Sequence, residues 1–118
     1  MIWHQGEADA TTTLYPTYQS KLKIFFEKVR TDLNKSNLPI VAGELGTFLA
    51  ANSTYPRWDS INVQINRLNS VLSNYAVVSS TYLTANSDMT HFNTASILTF
   101  GTRYANEFFS LHPYKYPK

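Results

Sequence analysis

The chain has 118 residues, 43% apolar and 14% aromatic, a composition typical of a single folded domain spanning residues 1–118 rather than of a disordered chain. Its formal net charge is +2 and its ten Lys and Arg residues are scattered, which excludes the basic patch that nucleic-acid binding requires. The absence of cysteine excludes disulfides and a cysteine nucleophile, and no apolar run approaches the roughly 20 residues that cross a bilayer.

Short apolar runs alternate with longer amphipathic stretches along the chain. In chain order the pattern predicts a strand, a helix, a strand, a helix, a strand and a helix, over residues 1–3, 15–34, 38–43, 58–75, 76–79 and about 94–109. The clearest helical stripe has steps of three and four residues and consists of Trp58, Ile61, Ile65, Leu68, Leu72 and Tyr75. This alternation predicts an α/β fold in which helices connect the strands of a parallel sheet.

Polar residues follow each predicted strand. They lie at residues 4–7, at residues 44–46 and in the long loop that carries Asp88 and His91. Because the carboxyl ends of parallel strands share one edge of the sheet, we expect these three groups to converge there.

The spacing of Asp88 and His91 is compatible with two interpretations. The two residues are either an ordinary solvated pair in a loop or the acid–base part of a catalytic site, in which a carboxylate holds the imidazole in one tautomer. In the second case Phe92 is expected to shield the imidazole from water. A zinc site formed by His4, Glu7, Asp88 and His91 is disfavoured, because the residues lie on loops and not on one helical face.

Four sequence blocks occur in an order that resembles a known family. They are WHQGEAD, VAGELG, DMTHFN and GTRYA, at residues 3–9, 41–46, 88–93 and 101–105. Together they resemble the C-terminal half of SGNH-type serine hydrolases, in the carbohydrate esterase family of sialate O-acetylesterases and acetylxylan esterases. The resemblance implies a three-layer α/β/α domain with a parallel sheet, here truncated to about three strands and three helices. It also implies removal of acetyl groups from acetylated carbohydrates through a serine acyl-enzyme, without metal or cofactor.

The resemblance also implies roles for individual residues. His91 corresponds to the general base and Asp88 to the carboxylate that orients it. Gln5, with Gly6 and Glu7 of the same block, corresponds to an oxyanion or substrate-binding element. The roles of His4 and Glu44 stay open between structural contacts and contacts to substrate.

The nucleophile block of the family has no counterpart in this sequence. None of the serines follows a glycine within two residues, whereas the family carries a Gly-x-Ser block upstream of WHQGE. We therefore expect the chain to begin at the third strand of the domain and to have weak or no esterase activity by itself. The alternative is a non-catalytic remnant that serves as a carbohydrate-binding or assembly module.

The expected loss of neighbouring strands has a consequence for assembly. An unpaired edge of the first strand favours pairing with another chain, so we expect a homo-oligomer. The compartment stays undetermined, because family members are often exported whereas Met1 to Gln5 do not resemble a signal peptide.

Overall fold

The computed structural model of the protein describes residues 1–111, which form three parallel strands and three α-helices. The predicted domain of residues 1–118 is thus described as far as Leu111. In chain order the elements are β1 (Ile2–Trp3), α1 (Tyr18–Asp32), β2 (Ile40–Gly43), α2 (Trp58–Arg67), β3 (Tyr75–Val78) and α3 (Thr94–Leu111). Short 3₁₀ segments lie in the connections, at Glu7–Asp9, Tyr15–Thr17, Thr47–Ala51 and Leu68–Ser70.

The strands form one sheet in the order β1-β2-β3, and both pairs are parallel. Trp3 lies opposite Ala42, and Gly43 at the end of β2 lies opposite Val78 at the end of β3. Each strand is connected to the next by a helix, which confirms the predicted α/β fold.

The helices cover the sheet from both sides. Ile40 and Ala42 of β2 pack with Phe26 of α1 and Ile65 of α2 in one core, whereas the intervening Val41 belongs to a second core against α3. This alternation follows from the two-residue period of a strand and yields the three-layer arrangement. Within residues 1–111 no helix has both the length and the apolar character needed to span a membrane.

The predicted helix over residues 58–75 is too long. The α-helix ends at Arg67, a 3₁₀ segment follows, and Tyr75 is the first residue of β3. The apolar stripe continues past the helix end because the same core continues to bury these side chains. Tyr75 lies in the same core as Ile65 of α2, and its hydroxyl donates a hydrogen bond of 2.9 Å to the carbonyl of Ile65.

Candidate active site

Three loops meet at the carboxyl edge of the sheet. His4 follows β1, Glu44 follows β2, and the third loop, residues 79–93, follows β3. The ring of His4 lies with its centroid 5.5 Å from that of Phe92 in the third loop, and its Nε2 lies 3.2 Å from the carbonyl oxygen of Glu44. The parallel sheet therefore brings the three loops into contact.

Asp88 and His91 form a hydrogen-bonded pair, the Asp–His pair, in the third loop. His91 Nδ1 lies 2.7 Å from Asp88 Oδ2. The other carboxylate oxygen, Oδ1, accepts hydrogen bonds from the backbone N–H groups of Thr90 at 2.9 Å and His91 at 3.0 Å. Asp88 thus closes the turn with one oxygen and orients the imidazole with the other.

These contacts shift the pKa values of both partners. Hydrogen bonds from the backbone and ring of His91 and from the backbone of Thr90 lower the pKa of Asp88 to about 2. The hydrogen bond to Asp88 and its negative charge raise the pKa of His91, and the charge of Glu7 adds a smaller contribution in the same direction. The pair is therefore an ionised carboxylate beside an imidazole of increased basicity.

The imidazole of His91 faces solvent. Its side chain is 76% exposed, and no hydrogen bond from residues 1–111 engages Nε2. The prediction that Phe92 shields it is wrong. Phe92 is buried instead, with its ring 4.9 Å from Phe48 and 5.1 Å from Phe100, because the second core takes up its apolar surface.

A closed turn presents the Asp–His pair. The backbone N–H of Asn86 donates to the carbonyl of His91 at 2.8 Å, and Ala85 forms an antiparallel bridge with Phe92. Within the turn Met89 has a φ of 52°, in the left-handed region that non-glycine residues seldom occupy. The turn is therefore a defined structure with one strained residue.

The first loop, which begins at His4 after β1, lies at the same edge of the sheet. Within residues 1–111 it makes no hydrogen bond to the Asp–His pair. Gln5 Nε2 donates to the carboxylate of Asp9 at 3.4 Å, and the backbone N–H of Gly6 donates to Glu7 Oε2 at 3.1 Å. The two loops touch instead through the rings of His4 and Phe92, and the negative charge of Glu7 makes a small contribution to the raised pKa of His91. The side chains of Gln5 and Glu7 therefore make these hydrogen bonds within the first loop.

The shape of the first loop depends on a glycine. Gly6 has a φ of 154°, and a Cβ at this position would lie 2.8 Å from Ile61 Cγ2. The neighbouring carbonyl of Gln5 accepts a hydrogen bond of 2.6 Å from the hydroxyl of Tyr18. Burial raises the pKa of Tyr18 to about 12. Close packing against α1 and α2 therefore sets the path of this loop.

Glu44 connects three elements. Its Oε1 accepts a hydrogen bond of 2.7 Å from Asn66 Nδ2 of α2, and its Oε2 accepts one of 3.1 Å from the backbone N–H of Ser80 in the third loop. Both carboxylate oxygens therefore serve structural contacts that join the end of β2 to its neighbours.

The described residues do not complete a hydrolytic triad. Among residues 1–111 no serine hydroxyl is hydrogen-bonded to His91, and the buried Ser80 donates its hydroxyl to the carbonyl of Leu45 at 2.8 Å. Over the same residues no three His, Asp or Glu side chains group as metal ligands do.

The sequence did not predict a role for two residues beside the Asp–His pair, Asn52 and Thr90. Asn52, in the loop after β2, donates from Nδ2 to the carbonyl of Met89 at 3.3 Å and to Thr90 Oγ1 at 3.1 Å. The Asp-x-Thr spacing is a known signal for an Asx turn and would have identified Thr90. No local signal identifies Asn52, because its partners lie in another loop.

Comparison with known proteins decides the family. The family model described as carbohydrate esterase, sialic acid-specific acetylesterase (SASA) matches residues 1–110. The chain belongs to the SASA family. No curated protein sequence matches it.

A solved structure has a similar fold. The crystal structure of a protein from Arabidopsis thaliana superposes with a TM-score of 0.79 at 25% sequence identity, over 92% of this chain and 43% of that one. The chain thus spans less than half the length of this relative.

Proposed function

We propose that this chain supplies the acid–base part of a carbohydrate O-acetylesterase site. The observation that carries the proposal is the hydrogen bond of 2.7 Å between His91 Nδ1 and Asp88 Oδ2, in a loop that presents Nε2 to solvent. Membership of a carbohydrate esterase family supports an acetylated sugar as the substrate.

The chemistry of this pair suits proton transfer to and from an acyl centre. His91 Nε2 would take the proton from a hydroxyl group as its oxygen attacks the acetyl carbonyl, and would then return it to the departing sugar oxygen. Asp88, ionised because of its low pKa, would hold the proton on Nδ1 and stabilise the imidazolium. Gln5, Gly6 and Glu7 are proposed to line the oxyanion or substrate side of the same site.

The hydroxyl nucleophile is expected to come from outside these residues. No Gly-x-Ser block occurs in the sequence, and a general base acting on water alone is a weak catalyst. The 118-residue chain by itself is therefore expected to bind an acetylated sugar but to release acetate slowly or not at all.

One NMR experiment tests binding and turnover together. Titration with an acetylated methyl xyloside or sialoside is expected to shift the imidazole resonances of His91, whereas the deacetylated sugar leaves them unchanged. The same spectra are expected to show no acetate release above the buffer rate over hours.

The control variant for this experiment is Asp59→Asn, which removes a charge at the start of α2 and leaves the Asp–His pair intact. Unmoved His91 resonances with both acetylated sugars would argue against a substrate site here. Hydrolysis of p-nitrophenyl acetate that is lost in His91→Ala, but not in Asp59→Asn, would contradict the expectation of inactivity.

A second candidate function, assembly, is favoured by the free edge of β1. Within residues 1–111 no strand pairs with the edge of β1 that faces away from β2, and Ile2 is 64% exposed there. An apolar groove continues from Ile2 along α3, past Ile97, Gly101 and Ala105. We propose that a second copy of the chain occupies it, pairing β1 with β1 about a two-fold axis; the net charge of +2 opposes such pairing only weakly.

Two exposed isoleucines provide a matched test of this assembly. Ile2 at the β1 edge and Ile24 on α1 are both 64% exposed. In sedimentation at micromolar concentration the wild-type chain is expected to be a dimer, Ile2→Lys a monomer and Ile24→Lys a dimer. A monomeric wild-type chain, or equal loss of the dimer in both variants, would refute the interface.

A further inference from the structure

The loop after β2 holds the third loop at two points, one on each side of His91. On one side the ring of Phe48 lies 4.9 Å from that of Phe92. On the other side the amide of Asn52 reaches the carbonyl of Met89 and the hydroxyl of Thr90. The third loop is thus held at Thr90, immediately before His91, and at Phe92, immediately after it.

The Asn52 side chain is oriented by its own loop. Its Oδ1 accepts a hydrogen bond of 3.0 Å from the backbone N–H of Thr54, which leaves Nδ2 as the group directed at the third loop. The Asn52 backbone is held as well, since its N–H donates to the carbonyl of Leu49 at 2.9 Å. Asn52 is therefore a fixed donor and not a mobile surface amide.

The two groups that accept from Asn52 are those that shape the turn. Met89 has the strained φ of 52°, and its carbonyl is one acceptor. Thr90 Oγ1, the other acceptor, donates in turn to the carbonyl of Asp88 at 3.2 Å, while the Thr90 backbone N–H donates to Asp88 Oδ1. A strained conformation persists only where its surroundings stabilise it, and Asn52 supplies that stabilisation from outside the turn.

We propose that Asn52 is a positioning residue of the site, whose Nδ2 group keeps the turn of residues 88–91 in the geometry that joins Asp88 to His91. The meaning of this role for catalysis rests on the proposed function, but the positioning itself is a structural claim. Asn52 acts through Met89 and Thr90 and makes no contact with His91 Nε2.

Asn52→Ala tests the role through the titration of His91. The charged groups that raise the pKa of His91 are Asp88 and Glu7, and neither is altered by this substitution. If the turn loosens, the Asp–His hydrogen bond is populated less and the pKa of His91, followed by NMR of the imidazole, falls towards the ordinary histidine value. Amide hydrogen exchange of Thr90 and His91 is expected to accelerate about 2- to 10-fold, the effect of losing about one net hydrogen bond.

Two further variants make the outcome specific. Thr90→Val removes one acceptor, so it is expected to lower the pKa of His91 partially and to give less than additive effects with Asn52→Ala. Asn74→Gly removes a different link between loops, the hydrogen bond of 2.7 Å from Asn74 Nδ2 to the carbonyl of Asn37. Glycine tolerates the φ of 50° at this position, so the substitution does not strain the backbone. It is expected to leave the pKa of His91 unchanged.

The proposal is overturned if Asn52→Ala leaves both the titration and the exchange rates unchanged. It is also overturned if Asn74→Gly lowers the pKa of His91 as much as Asn52→Ala does, because the effect would then be general loosening. None of these readouts requires turnover or a bound sugar. Failure of the esterase proposal is therefore distinguishable from failure of this one.

Discussion

Replacing Asp88 with Asn is expected to lower the pKa of His91 towards its ordinary value of about 6.5. Asp88 raises that pKa in the folded protein through a hydrogen bond and a negative charge. An amide keeps the size of the side chain but removes the charge and places either a neutral acceptor or an N–H against Nδ1. Imidazole resonances recorded from pH 4 to 9 would show the change directly.

Asp59→Asn is the matched control for this substitution. Asp59 also accepts a short local hydrogen bond, 2.7 Å from the backbone N–H of Ser60, but it lies at the start of α2. Its replacement is expected to leave His91 unaffected. If Asp88→Asn likewise left the titration unchanged, the hydrogen bond of the Asp–His pair would not exist in solution.

The signs of the two shifts define a pH window for the order of the turn. The pKa of Asp88 is lowered from 3.8 to about 2. The stabilisation of the folded turn by the Asp88 carboxylate is therefore fully present above pH 3.8 and is lost as the pH falls to about 2. The pKa of His91 is raised from 6.5. The stabilisation of the folded turn by the protonated imidazole is therefore fully present below pH 6.5 and is lost as the pH rises through the folded-state pKa. In the wild-type chain the turn is therefore expected to be most ordered between pH 3.8 and pH 6.5. In Asp88→Asn the order of the turn is expected to change neither in the acidic range nor as His91 titrates.

Replacing Gly43 with Ala is expected to destabilise the fold by about 2–4 kcal/mol, which combines overpacking with the loss of one hydrogen bond. A Cβ at Gly43 would lie 2.0 Å from the hydroxyl oxygen of Tyr104 and 2.8 Å from the ring of Phe100. That hydroxyl donates a hydrogen bond of 2.8 Å to the carbonyl of Trp3, so moving it would break this link between α3 and β1. Urea unfolding followed by circular dichroism measures the loss.

Gly101→Ala is the control for Gly43→Ala. Gly101 lies in α3, and a Cβ there would meet nothing within 4 Å. In the Ile2→Lys background, which is expected to be monomeric and so to leave the groove that Gly101 lines empty, the better helix propensity of alanine is expected to stabilise this variant by about 0.5–1 kcal/mol. Equal stability of Gly43→Ala and the wild-type chain would show that the close approach of Tyr104 to β2 is wrong.

The sequence alone was sufficient for the alternation of strands and helices, for the parallel sheet and for the family. These features depend on local periodicity and on blocks of adjacent residues, such as WHQGEAD, which sequence order preserves. The same periodicity failed at Leu72 and Tyr75, because burial against one core continues the apolar stripe after the helix itself has ended at Arg67.

Tertiary structure decided which side chains surround the Asp–His pair. Phe92 follows His91 in the chain but turns into the second core, and Asn52 reaches the turn of the pair from the loop after β2. The charge of Glu7, in the loop after β1, adds to the raised pKa of His91. Buried Arg30 shows the same dependence at the opposite edge of the sheet, where it donates to the carbonyls of Leu38 and Ser73. Such contacts join residues far apart in the chain, so their partners are set by the packing of β-strands and loops and not by any local pattern.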